Sequence, residues 1–128
     1  MKTTVSILLL CAASISLNAK AQALPASCEQ WISAVEVCTQ NSISYMEKAD
    51  PARVKTAKEV LSNMSDLRNT AKEQMSKTGF EDVAERCTKP AFIKSMNNTV
   101  SGIATYLSFN HALGKDCKRK VQEIQVQQ

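Results

Sequence analysis

Five cysteines, one histidine, twelve carboxylates and five methionines are the side chains in this 128-residue sequence that can bond, hold a metal or move a proton. Structural zinc wants close pairs such as Cys-x-x-Cys, or histidines at short spacing. A thiol redox site wants Cys-x-x-Cys as well. Cys28, Cys38, Cys87 and Cys117 offer neither spacing. His111 is the single histidine, so any Ser-His-Asp or Cys-His site must use it. Its local candidates, Ser108 and Asp116, stand on opposite sides of Gly114, with no nucleophile-elbow motif nearby. A surface or capping histidine at a helix C-terminus, where the dipole favours its cation, accounts for it better.

Paired carboxylates support glycoside hydrolysis, and Glu81, Asp82 and Glu85 form the acidic cluster of the chain. They open a short helical segment, where acidic residues are favoured in any case. Met46, Met64, Met75 and Met96 resemble a set of soft metal ligands, but each falls on an apolar stripe and reads as core filling. Lys115, Lys118, Arg119 and Lys120, with Asp116 among them, are the densest basic patch. They could engage an acidic partner or phosphate groups, although such a run is more often the wet face of a terminal helix. The residues therefore predict no catalytic site, no cofactor and no metal centre.

The elements that carry these residues are punctuated by Pro51, Gly79, Pro90 and Gly114. Only 3 glycines and 3 prolines occur in the whole chain, which speaks for helices rather than a loop-rich or all-β domain. The first predicted helix runs from about Ser27 to Ala49. Ser27 followed by Gln30 has the form of a capping box, and Trp31, Val35, Cys38 and Tyr45 share a stripe. Asp50-Pro51 signals the next start. From there Ala57, Val60, Leu61, Met64, Leu67, Ala71 and Met75 repeat at three and four residues, opposite a solvated face that includes Lys55, Lys58, Arg68 and Lys72. Gly79 suits its C-terminal cap. A short segment places Phe80, Val83, Ala84 and Cys87 on one face. The fourth helix is expected over Pro90 to Leu113, with an irregularity possible at the weak helix formers Asn97 to Gly102. A final short helix carries Cys117, Val121 and Ile124. Five such stripes bury one another most simply as a compact, all-α bundle of four to five helices.

The first 23 residues are read as an export signal. Lys2 supplies a positive start, Val5 to Leu17 is apolar but for three serines, and small residues follow. Cleavage fits after Ala21 or after Ala23, and the second, leaving Leu24-Pro25 first, is preferred. The apolar run is shorter than the roughly 20 residues that span a bilayer. Cys11 would leave with the signal, so residues 24–128 form one domain with four cysteines. Without Lys2 and Lys20 the chain holds 14 basic and 12 acidic residues, a net charge of +2. That balance implies neither nucleic acid nor an anionic membrane as partner.

An even cysteine count in a small exported domain reads as two disulfides. Cys28 and Cys38 lie ten residues apart on one predicted helix, roughly 15 Å at its rise per residue. Bonded cysteines need Cα atoms within about 7 Å, so that pair is excluded. Two pairings remain. An up-and-down arrangement favours Cys28–Cys87 with Cys38–Cys117.

Leu24-Pro25-Ala26-Ser27-Cys28, opening a helix straight after the signal, resembles the mature start of small exported proteobacterial proteins grouped as a domain of unknown function. Those have a Leu-Pro-x-Ser-Cys start, an aromatic near the position of Trp31, a Lys/Gln/Met-rich helix and a later cysteine comparable to Cys87. The resemblance covers about ten residues, and this chain departs from it in Cys38, Cys117 and a longer C-terminal part. It implies a periplasmic helical protein and supplies no functional residues. The functional expectation is a non-enzymatic protein in the periplasm or secreted, binding another envelope protein as an immunity protein or a chaperone would. Two alternatives stand beside it. One is a carrier of a small apolar ligand, held between Trp31, Tyr45, Phe92, Tyr106 and Phe109. The other is a small hydrolase using His111 or the acidic cluster.

Overall fold

A computed structural model describes residues 23–126, so the predicted export signal lies outside the described residues but for its last position. Five α-helices follow one another: α1 (Ala26–Ala49), α2 (Val54–Thr78), α3 (Phe80–Arg86), α4 (Pro90–Phe109) and α5 (Lys115–Val126). No strand occurs among the described residues, and none of their helices is long and apolar enough to cross a membrane. The all-α bundle stapled by two disulfides is what the patterning predicts.

α1 is the hub. α2, α4 and α5 each pack along it, and α3 fits against α1 and α2 near the start of α1. This explains why the buried residues of α1 spread well beyond one stripe: Cys28, Trp31, Ala34, Val35 and Cys38 are all within 2% of full burial. The other helices bury narrower faces. On α2, Ala57, Met64, Ala71 and Met75 face inward, while Val60 and Leu67 are half-buried. α4 contributes Met96, Val100 and Leu107.

Three helix ends depart from expectation. α1 starts at Ala26 with Pro25 as its N-cap, and the carbonyl of Pro25 accepts from the Cys28 and Glu29 amides. Ser27 is thereby carried into the first turn, and no capping box forms. Its hydroxyl instead donates to the Ala84 carbonyl at 2.9 Å, tying α1 to α3. At Pro51–Arg53 the chain makes a 3-10 turn before α2, and the Asp50 carboxylate pairs with Arg53 at 3.1 Å rather than capping. Gly79 does separate α2 from α3, at φ 95° and ψ 163°, a backbone region open essentially to glycine alone.

The third departure is the end of α4. The helix is continuous through Asn97–Gly102 but stops at Phe109, four residues before the expected end at Leu113. His111 takes a left-handed φ of 53°, and the Ala112 amide closes back on the Leu107 carbonyl at 2.8 Å. This six-to-one bond is the Schellman form of C-cap. Asn41 of α1 holds the exit: its amide donates to the Ala112 carbonyl at 3.1 Å, and its Oδ1 accepts from the Gly114 amide at 2.7 Å. A Cβ on residue 114 would lie 2.9 Å from that Oδ1. Gly114→Ala is therefore expected to break the clamp and cost about 1–2 kcal/mol, the net worth of two such hydrogen bonds. Urea denaturation measures it, and an unchanged midpoint would remove the clamp from the account.

Arg68 is also placed differently from the solvated face assigned to it. It is half-buried, and its guanidinium bonds both carboxylate oxygens of Glu29 and both of Glu36 on α1. Glu29 and Glu36 stand two turns apart on one face of α1, so a single fork on α2 meets both. Those carboxylates, Glu29 first, raise the guanidinium's pKa against the opposing effect of burial, so it stays charged at every pH the fold tolerates.

Candidate functional site

The cysteines pair as favoured, Cys28 with Cys87 (Cα–Cα 5.1 Å) and Cys38 with Cys117 (4.6 Å). All four are at most 7% exposed. The thiols are thus consumed in crosslinks between α1 and the later part of the chain.

The remaining chemistry-bearing residues are dispersed. His111 is exposed on the left-handed corner after α4, and its ring makes no hydrogen bond among the described residues. Met46, Met64, Met75 and Met96 are buried at 4–9% exposure, as core residues. No group of three or more His, Cys, Asp or Glu able to hold a metal is found among the described residues. In the acidic cluster, Glu85 pairs with Lys89 at 2.9 Å, and Asp82 accepts from Thr78 at 2.7 Å and from Arg86 at 2.8 Å.

That Thr78 bond spans Gly79 and clasps α2 to α3. It is the foremost cause lowering the Asp82 pKa below the ordinary aspartate value, with Arg86 assisting. A general acid needs the opposite shift. Because the folded pKa is depressed, whatever Asp82 adds to stability is present above its unfolded pKa and is lost as pH falls through the folded one. A carboxyl-carbon titration followed by NMR is expected to place its midpoint below that of an unperturbed aspartate. Thr78→Val should raise that midpoint, and a midpoint indifferent to the substitution would show the clasp to be empty of effect.

The basic patch of α5 is partly neutralised within its own helix. Arg119 pairs with Asp116 at 3.4 Å and Glu123 at 3.8 Å, and Lys120 reaches Glu123 at 3.8 Å. Lys115 and Lys118 are exposed and make no ion pair among the described residues.

Of the five aromatic residues proposed for a ligand cavity, Tyr45, Phe92 and Tyr106 pack against the core that holds Trp31, filling it rather than lining a cavity, and Phe109 lies apart. Trp31 is sealed in the core at 2% exposure, Tyr45 and Tyr106 pack edge to face with centroids 6.0 Å apart, and Phe109 is 86% exposed. The structure offers a different concavity. α2 and α4 flank α1 but scarcely meet, and towards the end of α1 they leave an open groove of about 430 Å³ between them. Its floor is Thr39, Ser42 and Met46 of α1; Ala57 and Val60 line one wall, Gly102, Ile103 and Tyr106 the other. Arg53 closes one end, its guanidinium 5.7 Å from the centre of the Tyr106 ring.

Two details single this region out. Thr39 is 1% exposed, yet its hydroxyl has no hydrogen-bond partner among the described residues, an uncommon condition for a buried polar group. Gly102 is exposed, and a Cβ added there would meet nothing within 4 Å. Gly102 also belongs to the outer face of α4. From Ser95 to Gly114 the chain contains no Lys, Arg, Asp or Glu, although Asn98, Ser101, Gly102, Thr105 and Phe109 along it are exposed. Sequence reasoning passed over this face because it attended to charge where charge is present. The twenty-residue gap in the charge pattern was the available signal.

These features define a disulfide-stapled helical protein with an uncharged, partly apolar face on α4 beside an open groove. No protein family, no curated protein and no solved structure matches the chain.

Proposed function

We propose that this chain is an exported, non-enzymatic interaction protein that docks another protein on the outer face of α4. The carrying observation is Phe109, a large apolar side chain left 86% exposed at the end of a surface-exposed stretch without charges. Interface cores are depleted of charge and enriched in aromatic side chains, and a central aromatic is a typical energetic anchor. The two crosslinks support an oxidising compartment, periplasmic or extracellular, since buried structural disulfides persist there. An envelope chaperone or an immunity protein fits this description, each presenting a rigid helix face to its client.

The test compares wild type with Phe109→Asp as baits in extract from the exporting compartment. A partner retained by wild type and lost by the variant supports the reading. Identical capture by both, or repeated absence of any partner, counts against it.

The groove favours a second reading, a carrier of a small apolar ligand. Its volume lies within the range of small-molecule sites, and Met46, Val60 and Ile103 give it an apolar lining. Native mass spectrometry of freshly purified protein decides this reading. A bound lipid or other apolar molecule supports it, and a clean apo mass removes it.

A further inference from the structure

Neither disulfide holds the groove shut. α2 and α4 contain no cysteine, so its two walls are joined chiefly through their packing on α1. The groove also has an apolar base apart from the main core, in the small cluster of Ile43, Met46 and Ala57. The polar groups of its floor are spent or sealed. The Ser42 hydroxyl donates to the Thr39 carbonyl at 2.7 Å, and the Thr39 hydroxyl is closed off from solvent. Along Met46, Ala57, Val60 and Ile103 an occupant meets carbon.

Charge enters at one end. Arg53 is the charged residue lining the groove, and no Asp or Glu of the described residues lines it. The guanidinium is held in place by the Tyr106 ring, 5.7 Å from its carbon, and by Asp50, which meets Nε at 3.1 Å. That contact leaves both terminal amino groups without a carboxylate among the described residues. Such an edge matches a carboxylate with two parallel hydrogen bonds. Thr56, three residues on and lining the same groove, adds a hydroxyl beside it. We infer that the groove binds a single-chain anionic amphiphile, a fatty carboxylate, with its tail along the floor and its head on Arg53.

The chemistry of the lining selects this class. A cationic ligand would find no carboxylate in the groove, and a sugar would find too few free polar groups on its floor. About 430 Å³ lies in the lower part of the range for ligand sites, which suits one acyl chain rather than two. The Arg53 side chain is 63% exposed, so the head stays wet while the tail leaves water. The inference rests on the reading of the groove as a small-molecule site and names the ligand class.

Isothermal titration calorimetry tests it, on protein purified after expression of the full-length sequence and freed of carried-over lipid. Each probe is kept below its micelle concentration. Dodecanoate is expected to bind one to one with a dissociation constant of about 1–100 µM, within the bounds for a ligand of its size. From octanoate to dodecanoate, affinity should rise about four-fold per added methylene, as burial of that group predicts. Dodecanol carries the same tail without the charge and should bind about 5–20-fold more weakly. Arg53→Gln should reduce dodecanoate to the level of dodecanol and leave dodecanol unchanged. Asp50→Asn frees the guanidinium and should tighten dodecanoate alone. Both side chains are exposed, and a thermal melt by circular dichroism verifies that each variant folds.

Dodecanoate that fails to bind up to its micelle point overturns the inference. If dodecanol binds as well as dodecanoate and Arg53→Gln changes neither, the anionic head is overturned and the apolar carrier stands. If both probes fail, the inference falls together with the carrier reading. Uptake of many molecules per chain, unaltered by a folded Val60→Asp variant in the groove wall, is adsorption elsewhere and overturns the site.

Discussion

Replacing Cys38 and Cys117 together by alanine is expected to lower stability by about 4 kcal/mol and to loosen α5 before any other element. The bond closes a sequence separation of 79 residues and the other one of 59. In the chain-entropy account this difference is worth only about 0.3 kcal/mol, so loop length does not decide which loss is worse. Local redundancy does. α3 keeps the Ser27–Ala84 hydrogen bond, buried Val83 and the Thr78–Asp82 clasp if its disulfide is removed. α5 would retain buried Ile124, half-buried Val121 and the Asn41 clamp at its entrance. Its outer face is charged and adds little, since exposed ion pairs are worth under about 1 kcal/mol each. Urea denaturation gives the total, and hydrogen exchange gives its distribution. Protection should fall most over residues 115–126; a uniform loss, or none, would mean that packing alone seats the helix.

The second large effect is expected at Trp31. Trp31→Ala should cost about 3–5 kcal/mol, the range for deleting a buried aromatic side chain. Trp31 heads the fully buried side chains by size, and it sits on the helix that every other helix touches. Collapse of the surroundings into the vacancy is limited because the two disulfides hold α3 and α5 at fixed stations along α1. A cost below about 1 kcal/mol would show instead that the core refills freely. Trp31→Phe keeps most of the apolar volume and should lose less. The chain has a single tryptophan, so both variants must be followed by circular dichroism, while wild-type fluorescence reports on the core alone.

Most of the element order was legible because its punctuation is local. Pro51, Gly79 and Pro90 act through their own backbone restrictions, and the three-four periodicity of α2 needs no knowledge of its neighbours. The disulfide pairing was legible for a related reason, since the rise of a helix forbids Cys28–Cys38 whatever surrounds it. What failed was decided at a distance. α4 ends at Phe109 because Asn41, far back in the chain, captures the backbone of Ala112 and Gly114, and an asparagine in mid-helix carries no mark of that duty. Arg68 read as solvated because its two carboxylate partners belong to another helix.

Periodicity also assigns residues to a stripe without saying what covers the stripe. Phe80 was placed on the inner face of α3 and is 42% exposed. Phe109 was counted as a cavity residue and points outward. The groove itself was illegible, because it exists only where α2 and α4 part company across α1. Function was least legible of all, since in the reading proposed here it rests not on a cluster of reactive side chains but on a face whose helix segment lacks charge.

The order of the four cysteines along the chain has a further consequence. Cys28, Cys38, Cys87 and Cys117 are joined first to third and second to fourth, so the two covalent loops overlap. A single cut by a protease at any peptide bond between residues 28 and 117 would fall inside at least one loop. The severed halves would remain one molecule on a non-reducing gel and separate only after reduction. A nick is thus survivable without loss of mass over nearly the whole described chain, a property that would suit the exported role proposed above.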